Sequence, residues 1–173
     1  VIAEAVHDLQ FGHKKPFVTM NCGAIPTDLF EKEFFGAVRG AFTDARESSL
    51  GVWRQASGGT LFLDEIGELS PFHQVKLLRA IEAKKVRPVG SDVEIDVNAR
   101  LIAATNRDLS EMMETREFRE ELYYRVGLAV LTVPKLQDRP DDIAPLANAF
   151  WRTLAPKREP LSEELLRELK RYR

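Results

Sequence analysis

Apolar positions along this chain change period several times, and each change marks an element. Val1, Ile2, Ala5, Val6 and Leu9 recur at helical spacing, with the pattern already running at the first residue. Gly12 to Pro16 break it, and Phe17-Val18-Thr19-Met20 reads as a strand leading into Asn21-Cys22-Gly23-Ala24. Pro26 to Phe35 reads as an acidic helix. Gly36 to Ala45 then interrupt it with small residues. Thr60 to Leu63 is an apolar run short enough to be a strand buried on both faces, the usual state of a parallel-sheet strand. Leu69 to Ala83 predicts a helix on Val75, Leu77, Leu78 and Ile81. Val86 to Val89 and Val93 to Val97 flank Gly90-Ser91-Asp92 as the arms of a hairpin. Arg100 to Ala104 is a further buried strand, Ser110 to Tyr123 a helix, and Leu128 to Val133 a last strand closed by Pro134. Helical signal resumes at Asp141. After Pro156 and Pro160, Ser162 caps a helix striped by Leu165, Leu166 and Leu169.

Short buried strands alternating with helices read as an α/β fold on a parallel sheet. Polar groups stand at three strand ends: Asn21, the pair Asp64-Glu65, and Thr105-Asn106. Open α/β sheets bind ligands in the crevice at the carboxyl ends of their strands. Oxygen ligands there suit a hard cation such as Mg²⁺. Asp64 is placed to hold a metal on a nucleoside triphosphate, and Glu65 to polarise a water. Milder readings stand beside these. Asp64-Glu65 caps the following helix, Asn21 is a turn residue, Asn106 caps a helix, and Arg119 and Arg125 are surface cations in weak ion pairs. Phe42 is flanked by Ala41, Thr43 and Asp44, without apolar neighbours at helix or strand spacing. It reads as a loop tip offered to a partner.

Composition narrows the class. A chain of 173 residues with 44% hydrophobic and 30% charged content is one α/β domain with the beginning of a second. Its single Cys22 excludes an internal disulfide, and its 3 histidines lack partners at zinc-ligand spacing. A net charge of −2 argues against a dedicated nucleic-acid surface. Arg167, Lys170, Arg171 and Arg173 read as cations compensating a helix dipole. No stretch is apolar enough to span a membrane, so a cytoplasmic location is expected.

Five segments in order carry a family resemblance along nearly the whole chain. PFVTMNCGA, EFFGAVRGAFTDA, GGTLFLDEIGEL, ARLIAATNRDL and FREELYYRV resemble the second strand, the GAFTGA signature segment, the Walker B strand, sensor I and the arginine-finger region of bacterial enhancer-binding proteins. The chain is similar to the central AAA+ ATPase domain of these sigma-54 activators. The resemblance implies a three-layer αβα AAA+ domain over 1–139 and the start of a small helical lid over 140–173. It implies ATP and Mg²⁺ as cofactors, with Asp64 on the metal and Glu65 activating the hydrolytic water. Asn21 would hold Glu65 in check. Thr105 and Asn106 would sense the γ-phosphate, and Arg119 and Arg125 would reach into a neighbouring subunit's nucleotide site. Gly40, Ala41, Phe42, Thr43, Asp44 and Ala45 would form the loop that touches the sigma-54 RNA polymerase holoenzyme. A homo-oligomeric ring, a hexamer or heptamer in the bacterial cytoplasm, is implied, with DNA bound through a separate domain and no membrane association.

Three departures from the family pattern bear on function. No GxxxxGK[ST] loop occurs in these residues, nor does the family's sensor II arginine. The signature reads GAFTDA, with Asp44 in place of glycine, which adds a charge to the expected contact loop. The strand that leads into a Walker A loop is missing as well, so the last strand would face the sensor strand across a gap of about 4.8 Å beyond normal pairing. A longer parent chain is therefore expected. Two other readings remain: a non-hydrolysing interaction module that kept the fold, and an AAA+ ATPase acting on a different protein.

Overall fold

The computed structural model describes residues 1–41, 47–156 and 159–171. The chain divides into two compact units, Val1–Leu128 and Ala129–Arg173. In the first, strands β1 (Phe17–Asn21), β2 (Thr60–Asp64) and β5 (Arg100–Ala103) form a parallel sheet ordered β1-β2-β5. The expected strands at Phe17, Thr60 and Arg100 are therefore present. β2 is central, and its Leu61 and Leu63 are fully buried, as an apolar run covered on both faces requires.

The register pairs Phe17 with Thr60, Thr19 with Phe62 and Asn21 with Asp64, so these six side chains share one face. Helix α1 (Ile2–Phe11) covers the start of that face. His7 Nδ1 lies 2.8 Å from Thr60 Oγ1 in a buried contact, and the His7 ring sits against Phe11 and Phe17. The opposite face carries Met20, Leu61 and Leu63. It joins a core with Phe30 and Phe34 of α2 (Phe30–Phe35), Trp53 of α3 (Val52–Gln55), Leu77 of α4 (Pro71–Ala83) and Leu122 of α6 (Glu120–Val126). Helices on both faces of a parallel sheet make the α/β architecture that the pattern predicts.

Several elements differ from the sequence reading. The acidic helix begins at Phe30 and not at Pro26, because the Pro26 carbonyl first closes a turn by accepting from Leu29 and Phe30. The hairpin exists, but it pairs only β3 (Lys85–Val86) with β4 (Ile95–Asp96). Val89 leaves it to bridge Ala37, and its amide donates to Gly36 O. The helix expected over 110–123 is two: α5 (Leu109–Glu114) and α6. Arg116 at φ 62 turns the chain between them, and the Met112 carbonyl accepts from both Glu117 and Phe118. Arg119 thereby becomes the residue capping α6 instead of a mid-helix position.

Leu128 to Val133 is not a strand. Strands exist by pairing, and among the described residues β5 pairs only with β2. The segment runs without a ladder, with Leu128, Val130 and Leu131 largely exposed. In the second unit α7 (Ile143–Leu154) follows a 3₁₀ turn at Pro140–Asp142, and α8 (Glu163–Arg171) packs against it. Ser162 Oγ accepts from the Leu165 amide, which is the expected cap.

Candidate nucleotide site at the strand ends

The three strand ends that sequence singled out are adjacent. Asn21 pairs in register with Asp64, the Cys22 amide donates to Asp64 O, and the Ala104 amide donates to Leu63 O. Ile66 N then donates to Ala104 O, closing the loops after β2 and β5 onto each other. Asp64 and Glu65 are half-buried at the crest of the sheet.

The acid pair is not a helix cap. Helix α4 starts at Pro71, with Ser70 as its cap and Ser70 Oγ accepting from His73 N at 3.3 Å. Between lies a 3₁₀ turn, Ile66–Glu68, entered through Glu65 at φ 54 and ψ 45. A glutamate in the left-handed region costs roughly 1 kcal/mol or more and persists where surroundings over-determine it. Here the Asp64 Oδ1 acceptor for Glu65 N (3.0 Å) and the Ile66 and Glu68 backbone bonds fix that turn. The turn swings the Glu65 carboxylate toward β1. A Cβ built on Gly23 would stand 2.7 Å from Glu65 Oε2 and 3.5 Å from Asn21 Oδ1, so the carboxylate occupies space that a side chain at 23 would claim. Asn21 Oδ1 itself accepts from the amides of Gly23 (2.8 Å) and Ala24 (3.0 Å), the turn role that was the milder reading.

On the other flank, Thr105 Oγ1 accepts from Arg107 N at 3.1 Å, and Asn106 is exposed. Asp108, not Asn106, caps α5, its carboxylate accepting from Ser110 and Glu111. Sequence reasoning missed the clamp beneath this loop. Arg107 meets Glu68 through two bonds, Nε to Oε1 at 2.8 Å and Nη2 to Oε2 at 2.9 Å, a bidentate fork joining the β5 loop to the β2 loop. Gly67 is the space that permits it: a Cβ there would lie 3.0 Å from Thr105 Oγ1 and 3.3 Å from Arg107 Cδ.

The electrostatics agree with this crowding. Burial pushes the Cys22 thiol up to about 12, and the negative charges of Asp64 and Glu65 add to the effect. Cys22 is therefore a neutral core thiol. The His73 ring stacks on Phe30 at 4.2 Å and is held below the usual histidine range, chiefly by burial, with Lys76 adding and Glu31 opposing.

Arg119 and Arg125 flank α6 as exposed cations, Arg119 Nε reaching Glu121 Oε2 at 3.5 Å. Among the described residues neither pairs with Asp64 or Glu65. Gly40 is exposed at φ 82, and the Ala41 amide donates to Val38 O. Phe42, Thr43, Asp44 and Ala45 lie outside the described residues. The base from which that segment departs is closed by paired bonds between Ala37 and Ser49, and Val38 N donates to Val89 O.

A parallel sheet with helices on both faces, an Asp-Glu pair ending its central strand and Thr-Asn ending the neighbour, defines an α/β domain of the AAA+ class. The chain belongs to the sigma-54 interaction domain family, whose model matches residues 1–132. Among relatives, the transcriptional regulatory protein GlrR of Escherichia coli (strain K12) is 48% identical over 160 residues, covering 92% of this chain and 36% of GlrR. The response regulator protein PilR of Pseudomonas aeruginosa is 46% identical over 155 residues, covering 90% of this chain and 35% of PilR. This chain thus spans about a third of the length of the curated relatives it matches. The crystal structure of NtrX from Brucella abortus matches with a TM-score of 0.86 and 29% identity, covering 98% of this chain and 38% of NtrX. NtrX has also been solved in complex with ADP and in complex with ATP.

Proposed function

We propose that the full-length protein hydrolyses ATP in a ring and uses the loop around Phe42 to remodel the sigma-54 RNA polymerase holoenzyme, thereby activating transcription. One observation carries the catalytic half: Glu65, at the end of the central strand, is held at φ 54 so that its carboxylate leaves the strand direction and stands against Gly23, in the turn that Asn21 closes. Backbone strain held by surrounding bonds at a strand end, beside the ends of β1 and β5, supports a working role for this acid.

The donor set fits a magnesium nucleotide. No group of three or more His, Cys, Asp or Glu that could hold a metal exists among the described residues. A cation held by one carboxylate, water and phosphate oxygens suits Asp64, whereas an all-protein cage would need more ligands. ATP with Mg²⁺ would supply the phosphoryl group and the charge neutralisation of its oxygens. Asp64 would hold the metal side of that complex, and Glu65 would take the proton of the attacking water. Asn21, through the turn it stabilises, positions Gly23 and hence the space in which Glu65 rests. Thr105 and Asn106 read the terminal phosphate from the adjoining strand end. Arg119 and Arg125, exposed on α6, act on a neighbouring subunit's nucleotide, where an added cation stabilises transition-state charge. The 173 residues contain no Walker A loop, so alone they are expected not to turn over ATP.

The test uses the full-length protein. Glu65→Gln is expected to keep ATP binding while hydrolysis falls by about 10² to 10⁴-fold. Phe42→Ala is expected to leave hydrolysis within a few-fold and abolish capture of sigma-54 by the protein trapped with a transition-state analogue. Undiminished turnover in the first variant removes Glu65 from the mechanism, and retained capture in the second removes the sigma-54 contact.

A further inference from the structure

Gln74 is a side-chain amide on the apolar face of α4, and it is completely buried. Its partners are all backbone groups outside its own helix. Nε2 donates to Leu69 O and to Glu117 O, both at 2.8 Å, and Oε1 accepts from Arg119 N at 2.8 Å. The three bonds fix the amide orientation, because two carbonyls require the nitrogen and one N–H requires the oxygen.

These partners lie at two places. Leu69 directly follows the 3₁₀ turn that Glu65 enters, and Glu117 and Arg119 bracket the entrance of α6. The α5–α6 connection is also held by buried Phe118 and by the Met112 carbonyl, which accepts from Glu117 and Phe118, but neither of these reaches the Arg119 amide. Arg119 is the cap of α6, so its amide precedes the helical ladder and has no carbonyl within the helix to reach. Gln74 supplies that missing partner. A strand-end turn and the backbone that launches the Arg119 guanidinium are thus tied to one rigid side chain in the core, while the guanidinium itself stays exposed.

We infer that Gln74 is the positioning residue for Arg119, setting the direction in which this arginine leaves the subunit toward the nucleotide of its neighbour. The inference rests on the proposed role of Arg119 in a ring. Gln74 touches no substrate itself. Its loss frees the α6 entrance and the Leu69 carbonyl but removes neither Asp64 nor Glu65, and a displacement of about 1 Å in the arginine costs on the order of 10²-fold in rate.

Mixed rings of full-length protein separate this role from a general packing role. Gln74→Leu alone is expected to lower kcat by on the order of 10²-fold, while affinity for a fluorescent ATP analogue stays within about two-fold. Mixed with Glu65→Gln, whose own site is inactive but whose Arg119 is intact, it is expected to regain turnover. The Gln74→Leu subunit's intact acid pair then receives a correctly placed arginine from its partner. Arg119→Ala mixed with Glu65→Gln is the control. Rescue in the control without rescue for Gln74→Leu overturns the inference and leaves the function standing. No loss in Arg119→Ala, or no rescue in the control, overturns the trans role of Arg119, and the inference with it. Gln74→Glu provides the second variant: it still accepts from Arg119 N but cannot donate to the two carbonyls, and the same rescue is expected. If both Gln74 variants fail to fold, Gln74 is a core residue only, and the inference is overturned.

Discussion

Replacing Glu65 with glycine separates what the left-handed turn does for stability from what the carboxylate does for chemistry. Glu65 sits at φ 54 and ψ 45, where an L-residue carries roughly 1 to 2 kcal/mol of steric cost. Glycine removes that cost and adds about 0.4 to 1 kcal/mol of unfolded-state entropy. The balance is about 0 to 1.6 kcal/mol in favour of glycine. The same exchange at Arg79, exposed in the middle of α4, is expected to destabilise by about 1 kcal/mol, since helical backbone gives glycine nothing to relieve. Urea midpoints of the full-length protein and both variants measure the difference. Steady-state ATP hydrolysis measures the other half: Glu65→Gly is expected to lose about 10² to 10⁴-fold, like any removal of a positioned base. A protein at least as stable and catalytically silent supports the reasoning. Destabilisation as large as that of Arg79→Gly refutes the strain argument, and retained turnover refutes the catalytic one.

Cys22 makes stability depend on pH at the alkaline end. Its folded pKa is raised from 9.0 to about 12, so the folded state holds the proton that the unfolded chain releases above pH 9. Stability is full below that pH and falls by up to about 1.4 kcal/mol per unit as pH rises toward 12. Cys22→Ala is expected to flatten that part of the curve, and a curve unchanged by the substitution shows that the thiol does not titrate as described. Gly67→Ala is expected to push Thr105 and Arg107 off the β2 loop and lower hydrolysis, with ATP affinity affected less; a fully active variant would show that the clamp tolerates a Cβ. Thr60→Val keeps the shape of the buried β2 residue but deprives His7 of its 2.8 Å partner. A loss of about 1 to 3 kcal/mol in denaturant unfolding is expected, and no loss would show that the pair is inessential.

The elements legible in the sequence were those whose signal is local. Phe17 to Met20, Thr60 to Leu63 and Arg100 to Ala104 read as strands from short, mostly apolar runs, and of the three it is central β2, with Leu61 and Leu63 fully buried, that is covered as such a run requires. Asp64-Glu65 and Thr105-Asn106 stood out because they directly follow such runs, at the strand ends where open α/β sheets bind ligands. Ser162 was recognisable as a cap from its own side chain and the stripe beyond it. What only the tertiary structure decided depends on partners distant in the chain. Leu128 to Val133 has a strand's composition, yet no neighbour among the described residues pairs it, and pairing, not propensity, makes a strand. The break between α5 and α6 follows from the left-handed Arg116, which no glycine announced. Glu65's backbone, the Arg107–Glu68 fork and the need for Gly67 arise where three separately coded loops converge. Gln74 left one faint trace, a polar amide on an apolar helical stripe, but two of its three partners lie 43 and 45 residues away. Periodicity records which face of a segment is buried. Only the folded chain specifies what that face meets, because the hydrogen bonds of a buried polar group are chosen by proximity in space.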